Sequence, residues 1–281
     1  MKIGMNMLLW TDYVTLDQVS IFETLKDSGF DGVEIPIGEG TETHYKAIGN
    51  QLAQLQLGVT CVTSLTAQAN IASLNPEVRQ KGLDRLKWAI DRAYALNAEV
   101  LCGPIHSAFA HFEGRPPLEE EKKWSAEMLY LAGDYAQKAK VILAPEALNR
   151  FECYLINTAS DLKQLLATIN HPFVGGIYDT HHGNIEEKSH ADAITLLGKD
   201  LKHVHISGSD RGTPGKGQID WDDVFLGLKK VNYQGWLTIE AFSTVIPRFA
   251  NAINVWRNYS PTEEIYKEGL KLIRSKWNDI K

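Results

Sequence analysis

Short apolar runs rich in β-branched residues alternate with longer amphipathic stretches from one end of the chain to the other. Taken as a repeat, the unit is a strand followed by a helix. Eight runs predict strands at residues 2–10, 31–37, 58–66, 99–105, 141–147, 174–180, 202–207 and 236–242. The stretches between them carry helix signals. Asn75-Pro76 has the form of an N-cap and first-turn proline, Thr15 with Gln18 and Ser260 with Glu263 that of capping boxes, and Gly29 that of a stop. Within residues 78–96, Leu83, Leu86, Ile90, Ala93 and Tyr94 recur at helical spacing and predict one face laid on a sheet, with Arg79, Asp84 and Arg92 on the polar face. No Pro/Gly/Ser-rich linker interrupts the alternation, so residues 1–281 are expected to form a single domain. Eight βα units in about 250 residues fit the arithmetic of a (β/α)8 TIM barrel better than that of a doubly wound open sheet.

Charge and cysteine content narrow the function classes. With 29 Lys+Arg against 35 Asp+Glu the formal charge is −6, and no basic block is present to neutralise a nucleic-acid backbone. Cys61, Cys102 and Cys153 are odd in number and lack metal-like spacing, which predicts a reducing, cytoplasmic setting rather than a disulfide framework. No run approaches the ~20 apolar residues of a membrane span, and no secretory core is visible at the start. The expected partner is therefore a small molecule, with neither nucleic acid nor membrane.

In a barrel of this kind the loops after the strands build the active site. Four consecutive strands end on groups that bind metals: Glu146 on the fifth, Asp179 on the sixth, His205 on the seventh and Glu240 on the eighth. A charge inside an apolar strand such as Leu-Thr-Ile-Glu240-Ala-Phe must be paired, ligated or catalytic, because burying it alone costs several kcal/mol. Three carboxylates and an imidazole around one point repel one another unless a divalent cation holds them. The oxygen-rich set favours Mn²⁺, Mg²⁺ or Co²⁺ over thiolate-type zinc. Strands five and eight lie three apart on the ring, so Glu146 and Glu240 would face each other across the mouth. Such a pair suits proton removal on one face of a substrate and return on the other, with metal charge stabilising an enediolate.

At these residues the sequence resembles the D-tagatose 3-epimerase and D-allulose 3-epimerase family of the xylose-isomerase-like barrels. The likeness spans the chain and is carried by Pro-Glu146-Ala-Leu-Asn149-Arg150-Phe151-Glu152, Tyr-Asp179-Thr-His181-His182, His203-Val-His205-Ile-Ser-Gly-Ser-Asp210-Arg211-Gly-Thr-Pro-Gly-Lys-Gly and Thr-Ile-Glu240-Ala-Phe. The resemblance implies a ketose 3-epimerase acting on free ketoses, with one divalent ion per chain, Mn²⁺ ahead of Co²⁺ or Mg²⁺. It implies Glu146, Asp179, His205 and Glu240 as metal ligands, Glu146 and Glu240 as the groups that exchange the C3 proton, and Glu152, His182 and Arg211 as contacts to substrate oxygens near C1 and C2. Homodimers or homotetramers are common in that family. Aldose–ketose isomerisation of the hydroxypyruvate type, inosose-type dehydration and metal-dependent DNA cleavage are the alternatives on the same barrel.

Other positions carry weaker expectations. His203 shares a strand face with His205 and is expected to be a hydrogen-bonded interior histidine, whereas His181 matches no motif role. His106 is expected at a pocket wall or as a hydroxyl contact, and Trp10 with the 109–112 loop at an apolar wall or in the core. The glycines around Lys216, in 212–217, suit a tight active-site loop better than a phosphate cradle. The helix at 261–280 and the aromatic stretch 249–259 are candidates for a partner surface.

Overall fold

The computed structural model describes residues 1–280. Its strands are β1 (Lys2–Asn6), β2 (Gly32–Pro36), β3 (Gly58–Val62), β4 (Val100–Gly103), β5 (Ile142–Pro145), β6 (Gly176–Asp179), β7 (Leu201–Ile206) and β8 (Trp236–Ile239). They pair in parallel in the order β5-β4-β3-β2-β1-β8-β7-β6. Single bridges Leu143↔Val174 and Glu146↔Ile177 bring β5 back to the β6 segment and all but close the ring. The chain is therefore the single-domain (β/α)8 barrel that its repeat predicts.

The helices are α1 (Val19–Ser28), α2 (Glu42–Gln54), α3 (Pro76–Ala95), α4 (Glu119–Ala139), α5 (Ala159–Ile169), α6 (Thr180–Glu186), α7 (His190–Leu197), α8 (Trp221–Lys230), α9 (Pro247–Ala252) and α10 (Thr262–Asp279). Alternation along each strand divides the apolar side chains into two layers. Val33, Leu101, Leu143 and Val204 join the large cluster shared with the helices. Cys102, Ala144 and Ile177 belong to a smaller cluster within the barrel.

Local signals fare well where nothing distant competes. Asn75 caps α3 with Pro76 in its first turn, and Gly29 closes α1 in the left-handed region at φ 97°. The Thr15/Gln18 box forms, on a 3-10 turn ahead of α1. Four expectations need correction, the first being that β3 ends at Val62 and not at residue 66. β1 stops at Asn6, because the Asn6 side chain accepts from Leu8 N and turns Met7–Leu9 into a 3-10 helix. Tyr94 is 65% exposed: it lies off the centre of the stripe that Leu86, Ala89, Ile90 and Ala93 bury. The Ser260/Glu263 box does not form, since the Ser260 hydroxyl accepts instead from Thr213 N at 3.2 Å and α10 starts at Thr262.

The barrel floor depends on missing side chains. A Cβ on Gly32 would lie 2.3 Å from Gly58 O and 2.5 Å from the Trp236 ring. The first neighbour is backbone and cannot step aside. Gly32→Ala is expected to destabilise the fold by about 1–3 kcal/mol, the usual range for overpacking. Thermal unfolding checks this, and a variant melting within a degree of the parent would refute it.

Candidate active site

The strand ends converge beneath a cavity of about 280 Å³ whose lining includes Glu146, Glu152, His182, Arg211 and Glu240. Leu8, Val62, Phe109, Leu148, Phe242 and Phe249 supply its apolar side. Asp179 ends β6, His205 lies one residue from the end of β7, and Glu146 and Glu240 follow β5 and β8 directly. The structure brings these four together, each buried, with one donor atom per residue all within 4.8 Å of one another. Nδ1 of His205 stands 3.6 Å from Glu146 Oε1, 3.6 Å from Asp179 Oδ2 and 3.4 Å from Glu240 Oε1.

These spacings fit a cation. His205 Nδ1 and Glu146 Oε1 are buried without a hydrogen-bond partner, and an imidazole nitrogen facing three carboxylates needs positive charge between them. Arg211 already offsets part of the negative charge, with Nη1 2.8 Å from both Asp179 Oδ2 and Glu240 Oε2. Its backbone is held in the left-handed region at φ 64°, unusual for a non-glycine residue, and its carbonyl accepts from Phe242 N.

Burial and neighbouring charge pull the ionisable groups apart. Glu146 is pushed up to about 7, first by burial, against the attraction of His205. Burial would raise Asp179 too, yet Arg211 and His182 hold it well below the usual carboxylate range. Burial would lower His205, but Glu240 and Glu34 hold it well above the usual imidazole value. His182 is held well below its ordinary value by burial, and Glu152 is raised by burial despite Arg211 nearby. The raised Glu146 and the lowered Asp179 show how strongly burial and neighbouring charge separate carboxylates within this one site.

Beneath the site lies a residue the sequence reading missed. Glu34 of β2 is fully buried, with Oε1 2.7 Å from His205 Nε2 and Oε2 2.8 Å from His203 Nε2. Thr60 and Cys102 donate to the same carboxylate, and Asn6 Nδ2 bridges Glu34 and Glu240 at 2.9 and 3.0 Å. Its signal was an acid inside the apolar run Gly-Val-Glu34-Ile-Pro, the argument already applied to Glu240. His203 is interior as expected, but its contact with Glu34 is an ion-pair approach and neither ring nitrogen makes a directed hydrogen bond.

Several peripheral expectations change. His106 is completely buried behind the cavity against Ser107 Oγ and Cys153 Sγ, so it forms no pocket wall. Trp10 packs beside Tyr266 with the core, whereas Phe109 does reach the cavity. Lys216 pairs with Glu264 at 2.8 Å and does not line the cavity. His181 Nδ1 meets Ser209 O at 3.1 Å. Part of the 249–259 stretch roofs the site: Phe249 and Ile253 line the cavity, with Phe249 edge-on to Phe242.

Known proteins share this architecture. A family model described as "Xylose isomerase-like TIM barrel" matches residues 22–276. The chain is 30% identical over 283 residues to a probable ketose 3-epimerase of Synechocystis sp., covering 97% of this chain and 96% of that protein. A ketose 3-epimerase of Arthrobacter globiformis is 30% identical over 286 residues, covering 100% and 98%. The crystal structure of D-allulose 3-epimerase from Methylomonas sp. in complex with D-allulose is similar at TM-score 0.92 and 28% identity, over 98% of this chain and 97% of that one. No described helix is long and apolar enough to cross a membrane. With barrel, strand ends and relatives in agreement, the chain belongs to the xylose isomerase-like TIM-barrel family and, within it, to the ketose 3-epimerases, enzymes of the isomerase class.

Proposed function

We propose that this protein is a metal-dependent ketose 3-epimerase that interconverts free ketoses such as D-fructose and D-allulose, D-tagatose and D-sorbose, or ribulose and xylulose. The observation that carries the reading is the buried Glu146–Asp179–His205–Glu240 set, with its unpartnered donors, directly under a sugar-sized cavity. Those four residues would hold one divalent ion, Mn²⁺ first and Co²⁺ or Mg²⁺ as substitutes. When bound, the ion supplies positive charge that lowers the cost of an enediolate at C2 and C3.

The remaining work falls to side chains. Glu146 and Glu240 stand on β5 and β8, with β6 and β7 between them. A substrate between them meets a carboxylate on either face: one removes the C3 proton, and the other returns a proton to the opposite face. Arg211 Nη2 donates to His182 Nε2 at 3.1 Å and both side chains line the cavity, so a substrate oxygen placed beside the guanidinium accepts from it. Glu152, raised by burial, accepts from a hydroxyl near C1. Phe109, Phe242 and Phe249 shield the reacting end from water. The apolar side of the cavity, from Leu8, Val62, Phe109 and Phe249, suits an unphosphorylated sugar. Deuterium incorporation at C3 in heavy water, with the epimer appearing only when metal is supplied, tests the reading. Exchange at C1 with aldose formation would replace it by an isomerase.

Glu34 fixes His205 from below, as outer carboxylates do for metal-binding histidines. Glu34→Gln is expected to weaken Mn²⁺ binding about 10- to 100-fold, read by calorimetric titration. Unchanged affinity would leave Glu34 a packing residue. The three cysteines are buried and unpaired, which supports a reducing, cytoplasmic setting. We include a homodimer or homotetramer in the reading, with Val245 and Trp256, 63% and 64% exposed, as apolar surface for a second copy.

A further inference from the structure

Three arginines line the cavity, and acids match two of them. Arg211 is bound to Asp179 and Glu240, and Arg248 Nη2 lies 2.9 Å from Asp12 Oδ2. Arg85 has no such partner. Its Nη2 donates to the carbonyls of Ile37 and Gly38 at 3.1 and 2.8 Å, and among the described residues no carboxylate pairs with it. The guanidinium also stacks on Trp88, with Cζ 4.1 Å from the ring centroid. Nη2 is thereby used up, while the N–H groups of Nε and Nη1 have no protein partner among the described residues. Burial lowers Arg85 from the ordinary guanidinium value; Tyr45 opposes this and Arg92 adds to it. That is the setting of a cation held in place without its counter-ion.

Its position decides which part of a ligand it meets. Arg85 is on α3, and the residues that hold it follow β2, which stands across the ring from β6. Glu146, Glu152, His182, Arg211 and Glu240 occupy the β5–β8 side of the cavity, whereas Gly38, Val62, Ser64 and Arg85 occupy the β2–β3 side. A ketose whose C1–C3 end is set against the first group extends its other end toward Arg85. Space is left there, since a Cβ added to Gly38 would meet nothing within 4 Å. Apart from the Asp12–Arg248 pair, the only charge on this side is the guanidinium. An anionic group at the sugar's tail finds one fixed cation and stays away from the acids at the reacting end. One guanidinium matches the charge of a carboxylate, whereas a phosphate carries about −1.5 to −2 and would be left partly unneutralised.

We propose that Arg85 is a specificity-determining residue that selects ketoses ending in a carboxylate at the carbon farthest from the carbonyl. This substrate class rests on the epimerase reading for its chemistry, because C3 exchange leaves the terminal carbon untouched, and on the unmatched arginine for its charge.

The test compares D-fructose with the same sugar oxidised to a carboxylate at C6, by deuterium incorporation at C3 with the Mn²⁺-loaded enzyme. The readout is the ratio of the two kcat/KM values within one protein, which cancels any general loss in a variant. In the parent the carboxylate is favoured at least about tenfold, the scale of a hydrogen bond to a charged group. In Arg85→Gln the ratio falls to about one or below. Gly38→Asp keeps Arg85 and sets a counter-ion beside it, so its ratio falls likewise and serves where Arg85→Gln does not fold. A parent ratio near one would overturn the proposal, as would a stronger preference for D-fructose 6-phosphate. So would a parental ratio in Arg85→Gln or, where that variant does not fold, in Gly38→Asp: both sugars losing equally would leave Arg85 an anchor for the loop after β2. Where neither sugar exchanges at C3, calorimetric titration of the same proteins decides. Tighter binding of the carboxylate, lost in the variant, would retire the epimerase reading and uphold the subsite; equal binding would end both.

Discussion

Replacing either Glu146 or Glu240 with glutamine is expected to reduce C3 proton exchange by about 10⁴-fold in both directions of the reaction, the upper range for loss of a positioned acid or base. Glutamine keeps the shape and removes the proton-accepting oxygen. In the proposed mechanism every turnover uses both residues, one for each face, so neither variant would retain a working half-reaction. The two acids differ in surroundings. Glu146 is pushed up to about 7, first by burial. Glu240 Oε2 is instead paired with the Arg211 guanidinium at 2.8 Å. Both are also proposed to hold the ion, so metal content must be measured beside deuterium incorporation. A variant that keeps its metal and turns over within tenfold of the parent would remove that residue from the proton path.

The second large effect concerns Asp179. Its Oδ1 accepts from His181 N at 2.5 Å and His182 N at 3.2 Å and caps α6, while Oδ2 faces Ser207, Arg211 and the His205 ring. Asp179→Asn keeps an oxygen for the cap and loses the negative charge. Bound metal is expected to drop from about one per chain to under about 0.1, with activity lost at least about 1,000-fold. Chelator treatment of the parent should give the same loss, reversed by Mn²⁺; the variant should not recover. The parent's Tm should also rise with added Mn²⁺, because an ion that binds only the folded chain stabilises it by about 2.7 kcal/mol at 100 times its Kd. A parent whose Tm and activity ignore both chelator and Mn²⁺ would sink the metal assignment.

The barrel was legible because each strand is a short apolar run and each helix a stripe, and both patterns are local. The boundaries are less so: the apolar pattern predicts β1 four residues too long, because Met7, Leu8 and Leu9 are as apolar as the strand before them. Ser260 has the right neighbours for a cap, but Thr213, 47 residues away, claims its hydroxyl. His106 stands at a strand end like the four donors, yet its ring turns behind the cavity toward Cys153. Position along a strand fixes which face a side chain takes, and not what it meets there.

The order of the eight units, the acid-rich ends of β5, β6 and β8, and His205 in β7 are properties of the sequence by itself, since apolar periodicity and buried charge are read one segment at a time. Which groups pair was decided only when the ring closed. Glu34 supports His205 across 171 residues, Asn6 reaches Glu240 across 234, and Asn149 meets His182 across 33. Hydrogen bonds act over about 3 Å, and only the tertiary structure brings such distant positions that near.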